Sequence, residues 1–290
     1  MTSRRTFIIN SSLATAAVLA LPSLAFSMNK KEIGLQLYTL RDELPKNVKE
    51  TLEKVALAGF TAVETYGFSI KDQFYGLSPA EFKKILDANN LKAPSGHYGI
   101  GSFLIDGNTT ELKAAIDAAK TLKSEFLTIP WVDPPYRKNI EDYKSIARRL
   151  NEAAKICKNA GLKLAYHNHD FEFENHNGTT GYEILLNETD KDLVYFEMDL
   201  YWVVYAKKDP IQLFKENPGR FRMWHIKDMD KLKPSLNTEI GSGSIDFKPI
   251  FKEARLAGME HFFVEQENNF AKNAFDGIKT SCDFISKNLI

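Results

Sequence analysis

The chain has 290 residues, a hydrophobic fraction of 43%, and 38 Lys+Arg against 38 Asp+Glu. That length suits one barrel-sized domain, and a chain of balanced charge has no overall electrostatic pull on nucleic acid or an anionic membrane. Two cysteines, Cys157 and Cys282, are too few for a disulfide-dense framework or a Cys-ligated zinc domain. Two buried thiols are expected instead.

The first element in chain order reads as a leader. Ser3-Arg4-Arg5-Thr6-Phe7-Ile8 precedes an apolar stretch from about Ser12 to Leu21, and Ser23-Leu24-Ala25 follows with small residues. Charged, then apolar, then small is the order of a secretory signal, and the run is short for a membrane span of about 20 residues. The paired arginines resemble a twin-arginine signal. Residues 1–25 are therefore expected to be a signal peptide of that type. The mature protein should be periplasmic or otherwise exported, with no stable membrane span after processing.

Across residues 26–290, short apolar runs alternate with longer amphipathic stretches. The predicted strands are Ile33–Tyr38, Ala62–Thr65, Lys92–Gly96, Phe126–Ile129, Lys163–His167, Val194–Asp199, Arg222–Ile226 and Phe262–Glu265. The predicted helices are Pro45–Ala58, Pro79–Asn89, Thr110–Leu122, Ile140–Ala160, Gly181–Leu186, Pro210–Glu216, Phe247–Leu256 and Phe270–Lys287. In the Ile140 helix, Ile146, Leu150, Ala153, Ala154 and Cys157 recur at helical spacing, and Gly161 ends it. Strict strand–helix alternation predicts a parallel sheet closed as a (β/α)8 TIM barrel in one domain. A dinucleotide fold would want glycines after the first strand, where Tyr38-Thr39-Leu40-Arg41-Asp42 stands instead.

In a barrel the strand C-termini and the loops after them form the active face. Tyr166-His167-Asn168-His169-Asp170, Glu197-Met198-Asp199, Trp224-His225-Ile226-Lys227-Asp228 and Val264-Glu265-Gln266-Glu267 all fall there, as does His97. Alternation along each strand then sorts inward from outward side chains. It points Glu197 and Asp199 inward, with His167 and His169 on one face and Glu265 and Glu267 on another. Lys163 and Glu197 would pair inside the barrel. Asp199, His225 and Glu265 converge from consecutive strands, a mixed oxygen and nitrogen donor set that suits one Mn²⁺, Mg²⁺, Zn²⁺ or Co²⁺.

These segments, with Ile33-Gly34-Leu35-Gln36-Leu37-Tyr38, Gly59-Phe60-Thr61-Ala62-Val63-Glu64, Asp199-Leu200-Tyr201-Trp202 and Gly241-Ser242-Gly243-Ser244, resemble the xylose isomerase-like superfamily of sugar isomerases and epimerases. The likeness covers most of the mature chain. It implies a metal held by a Glu, an Asp, a His and a Glu from strands five to eight. The last three fall on Asp199, His225 and Glu265. Counting back from Asn168 puts the first on Ala165, which cannot bind metal. His167 or His169, or more distantly Glu172, would then replace it.

The resemblance implies an isomerase or epimerase that removes a proton beside a carbonyl and stabilises the enediolate with the metal. Glu265 would act with His167 or His169, and Lys227 would steady negative charge or pair with Asp228 at the rim. Trp202, His97, Glu64 and Trp131 are candidates for lining a sugar pocket. Loss of the strand-five Glu leaves a lyase or dehydratase acting on a keto-sugar or keto-glycoside as a competitor. A non-catalytic sugar-binding barrel is the alternative from another class. A neutral chain with few histidines does not suit a nuclease, and self-association is left open.

Overall fold

The computed structural model describes residues 32–290, so the predicted leader lies outside the described residues. Eight parallel strands form one sheet: β1 (Gly34–Gln36), β2 (Ala62–Thr65), β3 (Lys92–Gly96), β4 (Phe126–Ile129), β5 (Lys163–His167), β6 (Val194–Asp199), β7 (Met223–Ile226) and β8 (His261–Val264). Their spatial order is β3-β2-β1-β8-β7-β6-β5-β4. The two outer strands meet through a bridge between His97 and Thr128, reinforced by Tyr98 N–H donating to Thr128 O at 2.9 Å. That contact closes the (β/α)8 barrel, as expected.

Helices form where capping side chains and apolar periodicity coincide. Ser78 and Glu81 make a capping box before α1 (Pro79–Ala88), with Pro79 in the first turn. Asn139 and Asp142 do the same for α2 (Ile140–Asn159), which ends before Gly161 at φ +83°. Outward strand residues such as Leu35, Val63, Phe196 and Trp224 pack into the shell of helices, all fully buried. Cys157 and Cys282 are buried free thiols.

Side-chain caps move several boundaries from their predicted places. The first strand stops at Gln36 because its side chain accepts the Tyr38 N–H and turns Leu37–Leu40 into a 3₁₀ helix. The helix predicted from Pro45 starts at Val48, where Asn47 accepts the Glu50 N–H. The helix predicted from Phe270 starts at Ala274 behind Asn273. Two short helices went unpredicted, Gly101–Asp106 and Leu200–Tyr205, the second capped by Asp199 itself. Among the described residues, no helix is long and apolar enough to cross a membrane.

Candidate metal and substrate site

The barrel interior is apolar at the bottom and charged at the top. Phe126, Ala165, Met223 and Phe263 fill the lower part as a separate buried cluster against Tyr195. Gly34 is required there, because a Cβ would run into the Phe263 ring. Two residues further along the strands the inward side chains become polar. Parallel register sets His167 beside Glu197, Asp199 beside His225, and Gln36 beside Glu64.

Two fully buried glutamates anchor three imidazoles. Glu64 accepts from Gln36 Nε2 (2.6 Å) and Ser95 Oγ (2.5 Å), and lies 2.7 Å from His225 Nε2 and 3.1 Å from His97 Nε2. Glu197 Oε2 lies 2.7 Å from His97 Nε2 and 3.2 Å from His167 Nδ1. Burial disfavours the Glu64 carboxylate, but His97 and His225 outweigh it and hold its pKa well below the ordinary range. Burial and the like charge of Glu64 push Glu197 up. For His97 the two carboxylates overcome burial and raise its pKa to about 9.

Above this layer, the other nitrogens of His225 and His167 face Asp199. His225 Nδ1 and His167 Nε2 each stand 4.0 Å from Asp199 Oδ2, and His225 Nδ1 is 3.2 Å from Glu265 Oε2. Asp199 Oδ2 is buried and accepts no hydrogen bond, whereas Oδ1 caps the Trp202 N–H at 3.1 Å. A separation of 4.0 Å is too long for a hydrogen bond, but it accommodates an ion bonded to both atoms at about 2.1 Å. Two carboxylates and two imidazoles around a buried oxygen that accepts no hydrogen bond, with only the Lys227 ammonium 3.3 Å away, fit a divalent metal. Asp199, His225 and Glu265 have ligand atoms clustered closely enough to hold one, and so do His97, His167, Glu197 and His225.

Lys227 sits at the edge of this group, 2.8 Å from Glu265, 3.3 Å from Asp199 and 2.5 Å from Glu267. Burial opposes its charge, but those carboxylates keep the ammonium protonated and its pKa well raised. Lys227 and His225 overcome burial in the same way to hold Glu265 well below the ordinary range. His169 lies higher, stacked on Phe171 and edge-on to Trp131, with ring centroids at 5.3 and 5.1 Å. Its Nδ1 is buried and unbonded. Burial first, then Lys227, lowers its pKa to about 3, so the ring is neutral at physiological pH. A cavity of about 810 Å³ opens over the group, with Tyr38, Tyr66, Phe68, Trp131, Phe171 and Trp202 in its walls.

Most predicted site residues come together, and a few do not. His167, His169, Trp131, Trp202, His97 and Glu265 border the cavity. Glu64 does not, because it is fully buried beneath His97 and His225 and has no surface to offer a substrate. Lys163 does not pair with Glu197. It begins its strand about 13 Å below the His167 level and binds Glu260 at 2.6 Å over the Phe126 ring. Nor does Lys227 pair with Asp228. That carboxylate accepts from the backbone N–H groups of Met229, Gly241, Gly243 and Ile245, which explains the Gly-x-Gly turn. Ala165 belongs to the apolar floor, and the strand-five side chain that reaches toward Asp199 is His167.

Glu172 is also away from the metal-fitting group, bound by Tyr166 Oη at 2.7 Å and by His169 N–H at 2.8 Å. Burial dominates over those hydrogen bonds and pushes its pKa to about 7. Because the folded value is raised, the stabilising protonated form is fully present below the ordinary carboxylate pKa. It is lost as pH rises through about 7. A Glu172→Gln variant should therefore gain melting temperature over wild type by several degrees on going from pH 5 to pH 8. A gap that stays constant across that range would refute the assignment. Sequence reasoning also missed Tyr66, Phe68 and Arg137, which reach the cavity from loops that carry no periodic signal.

Fold and site together define a (β/α)8 barrel with a buried carboxylate–imidazole centre at the C-terminal end of its strands. The family described as Xylose isomerase-like TIM barrel matches residues 52–288, and the chain belongs to it. The chain is 26% identical to an inosose dehydratase of Clostridium botulinum (strain Alaska E43 / Type E3), over 85% of this chain and 93% of the relative. A crystal structure of a sugar phosphate isomerase/epimerase from Parabacteroides distasonis superposes with a TM-score of 0.78 at 29% identity, covering 89% of this chain and 94% of that one. The zinc-bound IOLI protein shares the fold, with a TM-score of 0.70 at 18% identity over 89% of this chain and 99% of its own.

Proposed function

We propose that the protein is a divalent-metal-dependent lyase that dehydrates a keto-sugar or closely related polyol ketone. The observation that carries this reading is an imidazole at the cavity with a free nitrogen: His169 borders it with Nδ1 buried and unbonded, while the buried ammonium of Lys227 stands among the carboxylates beside it. Epimerisation by two carboxylates needs one on each face of the substrate, whereas strand five supplies an imidazole here. Elimination needs one base and one acid.

Asp199, Glu265, His225 through Nδ1 and His167 through Nε2 would hold the ion. Glu64 and Glu197 would accept hydrogen bonds from the opposite ring N–H groups and so fix both tautomers. A divalent ion at this position supplies Lewis-acid polarisation of a substrate carbonyl. His169 takes the proton from the carbon beside that carbonyl. Lys227 gives a proton to the departing hydroxyl, so that water leaves and a conjugated ketone remains. The aromatic walls exclude bulk water and stack on the apolar face of the ring. The dehydratase name of the Clostridium relative and the zinc of the IOLI protein support this reading. The leader-like N-terminus supports an exported site of action.

A second reading, isomerase or epimerase, is supported by the Parabacteroides relative and by Glu265, whose carboxylate also borders the cavity and so offers a second proton acceptor. Incubating the metal-loaded protein with a panel of keto-sugars in D₂O separates the two. Elimination gives a new conjugated-ketone absorbance and loss of the mass of water. Epimerisation gives one incorporated deuterium and no absorbance change. Neither product, with metal bound, would leave the non-catalytic sugar-binding barrel.

A further inference from the structure

The main cavity has a neighbour across one of its walls. A second cavity of about 250 Å³ adjoins it, and Gly99, Pro130 and Trp131 line both. Trp131 is the partition, 44% exposed. Its Nε1–H donates to Asp133 Oδ1 at 3.0 Å, and the Arg137 guanidinium lies 5.0 Å from its ring centroid. Contacts with His169 and Phe171, both at 5.1 Å, set the angle of the indole.

Beyond the indole the walls are mostly apolar, from Leu104, Ile105, Val132, Tyr136 and Ile146. Ile105 and Tyr136 remain 44% and 43% exposed, so the cleft leaves apolar surface open to water. Its carboxylates are already engaged: Asp133 by Trp131, and Asp142 by the Lys138 and Asn139 N–H groups just before the Ile140–Asn159 helix. No Lys, Arg or His lines it, which disfavours a phosphate or carboxylate occupant. An apolar cavity of about 150 Å³ already takes a benzene ring.

We infer that this side cleft is a subsite for a flat, uncharged apolar group carried by the reacting sugar, so that the substrate class is a glycoside or similar conjugate rather than a free sugar or sugar phosphate. The inference rests on the sugar reading proposed above, and it follows from the wall of Gly99, Pro130 and Trp131 that the two cavities share. A single pyranose ring over the metal-fitting group fills only part of the larger cavity. A substituent on that ring meets Trp131 and passes along it into the cleft.

The test compares binding of matched phenyl and methyl glycosides of the common hexoses to the full-length, metal-loaded protein by calorimetry, for wild type and Ile105→Asp. Phenyl glycosides should bind wild type about tenfold more tightly than their methyl counterparts, as expected for burying roughly 60 Å² of apolar surface. In Ile105→Asp that ratio should fall close to one. Equal binding of phenyl and methyl glycosides to wild type, or a tenfold ratio that survives Ile105→Asp, overturns the subsite and leaves the sugar reading standing. Failure of every glycoside to bind removes the sugar reading and the subsite with it.

Discussion

Replacing Asp199 with asparagine should cost the protein its metal while leaving the barrel folded. The asparagine oxygen can still cap the Trp202 N–H, and its amide takes the place of Oδ2, which accepts no hydrogen bond. Lys227 keeps Glu265 and Glu267 as partners. What is lost is the buried anion toward which both His167 Nε2 and His225 Nδ1 are turned. Elemental analysis should find about one equivalent of divalent ion in wild type. The variant should show an affinity loss beyond the roughly 10–100-fold typical of outer-shell partners. Glu64→Gln should fall within that range, because it disturbs the orientation of His225 and His97 without removing one of the atoms turned toward the ion. His225→Ala should lose metal as well, with a melting temperature recorded alongside because it removes one partner from each of the buried Glu64 and Glu265. Wild-type metal content in Asp199→Asn would remove the proposed site.

Replacing His169 with glutamine should separate chemistry from metal binding. Glutamine keeps a polar group beside Phe171 and Trp131 but cannot take a proton. The side chain is not among those turned toward Asp199 Oδ2, so metal content should stay at the wild-type level. A lost general base typically costs about 10²–10⁴-fold in rate. The expected outcome is a fall of that size in kcat and an equal fall in kcat/KM, with KM little changed. A kcat within a few-fold of wild type would exclude His169 as the base and favour Glu265. A large rise in KM with kcat intact would make it a binding residue instead.

Much of the fold was legible because its signals are local. Alternating side chains in Val194–Asp199 put Phe196 and Met198 toward the helices and Glu197 and Asp199 inward, and both assignments hold. Gly161 marked a helix end through backbone chemistry that needs no distant partner. The convergence of Asp199, His225 and Glu265 was legible too, because they come from consecutive strands at the same end of the barrel. Lys163 was misplaced for the complementary reason. Alternation gives the face of a side chain but not its height, and height separates it from Glu197.

The sequence by itself determined the strand–helix alternation, the end of the barrel that carries the chemistry, and three side chains that converge there. Periodicity, caps and strand order are written in neighbouring residues. Only the tertiary structure decided that Glu64, contributed by β2, lies under His225 from β7, and that Glu197 turns His167 toward Asp199. It also decided that Lys227 neutralises the carboxylates beside the site and that Trp131 divides two cavities. Those relations cross the interior between strands far apart in the chain. Their distances are set by the closure and stagger of the barrel, which no local pattern specifies.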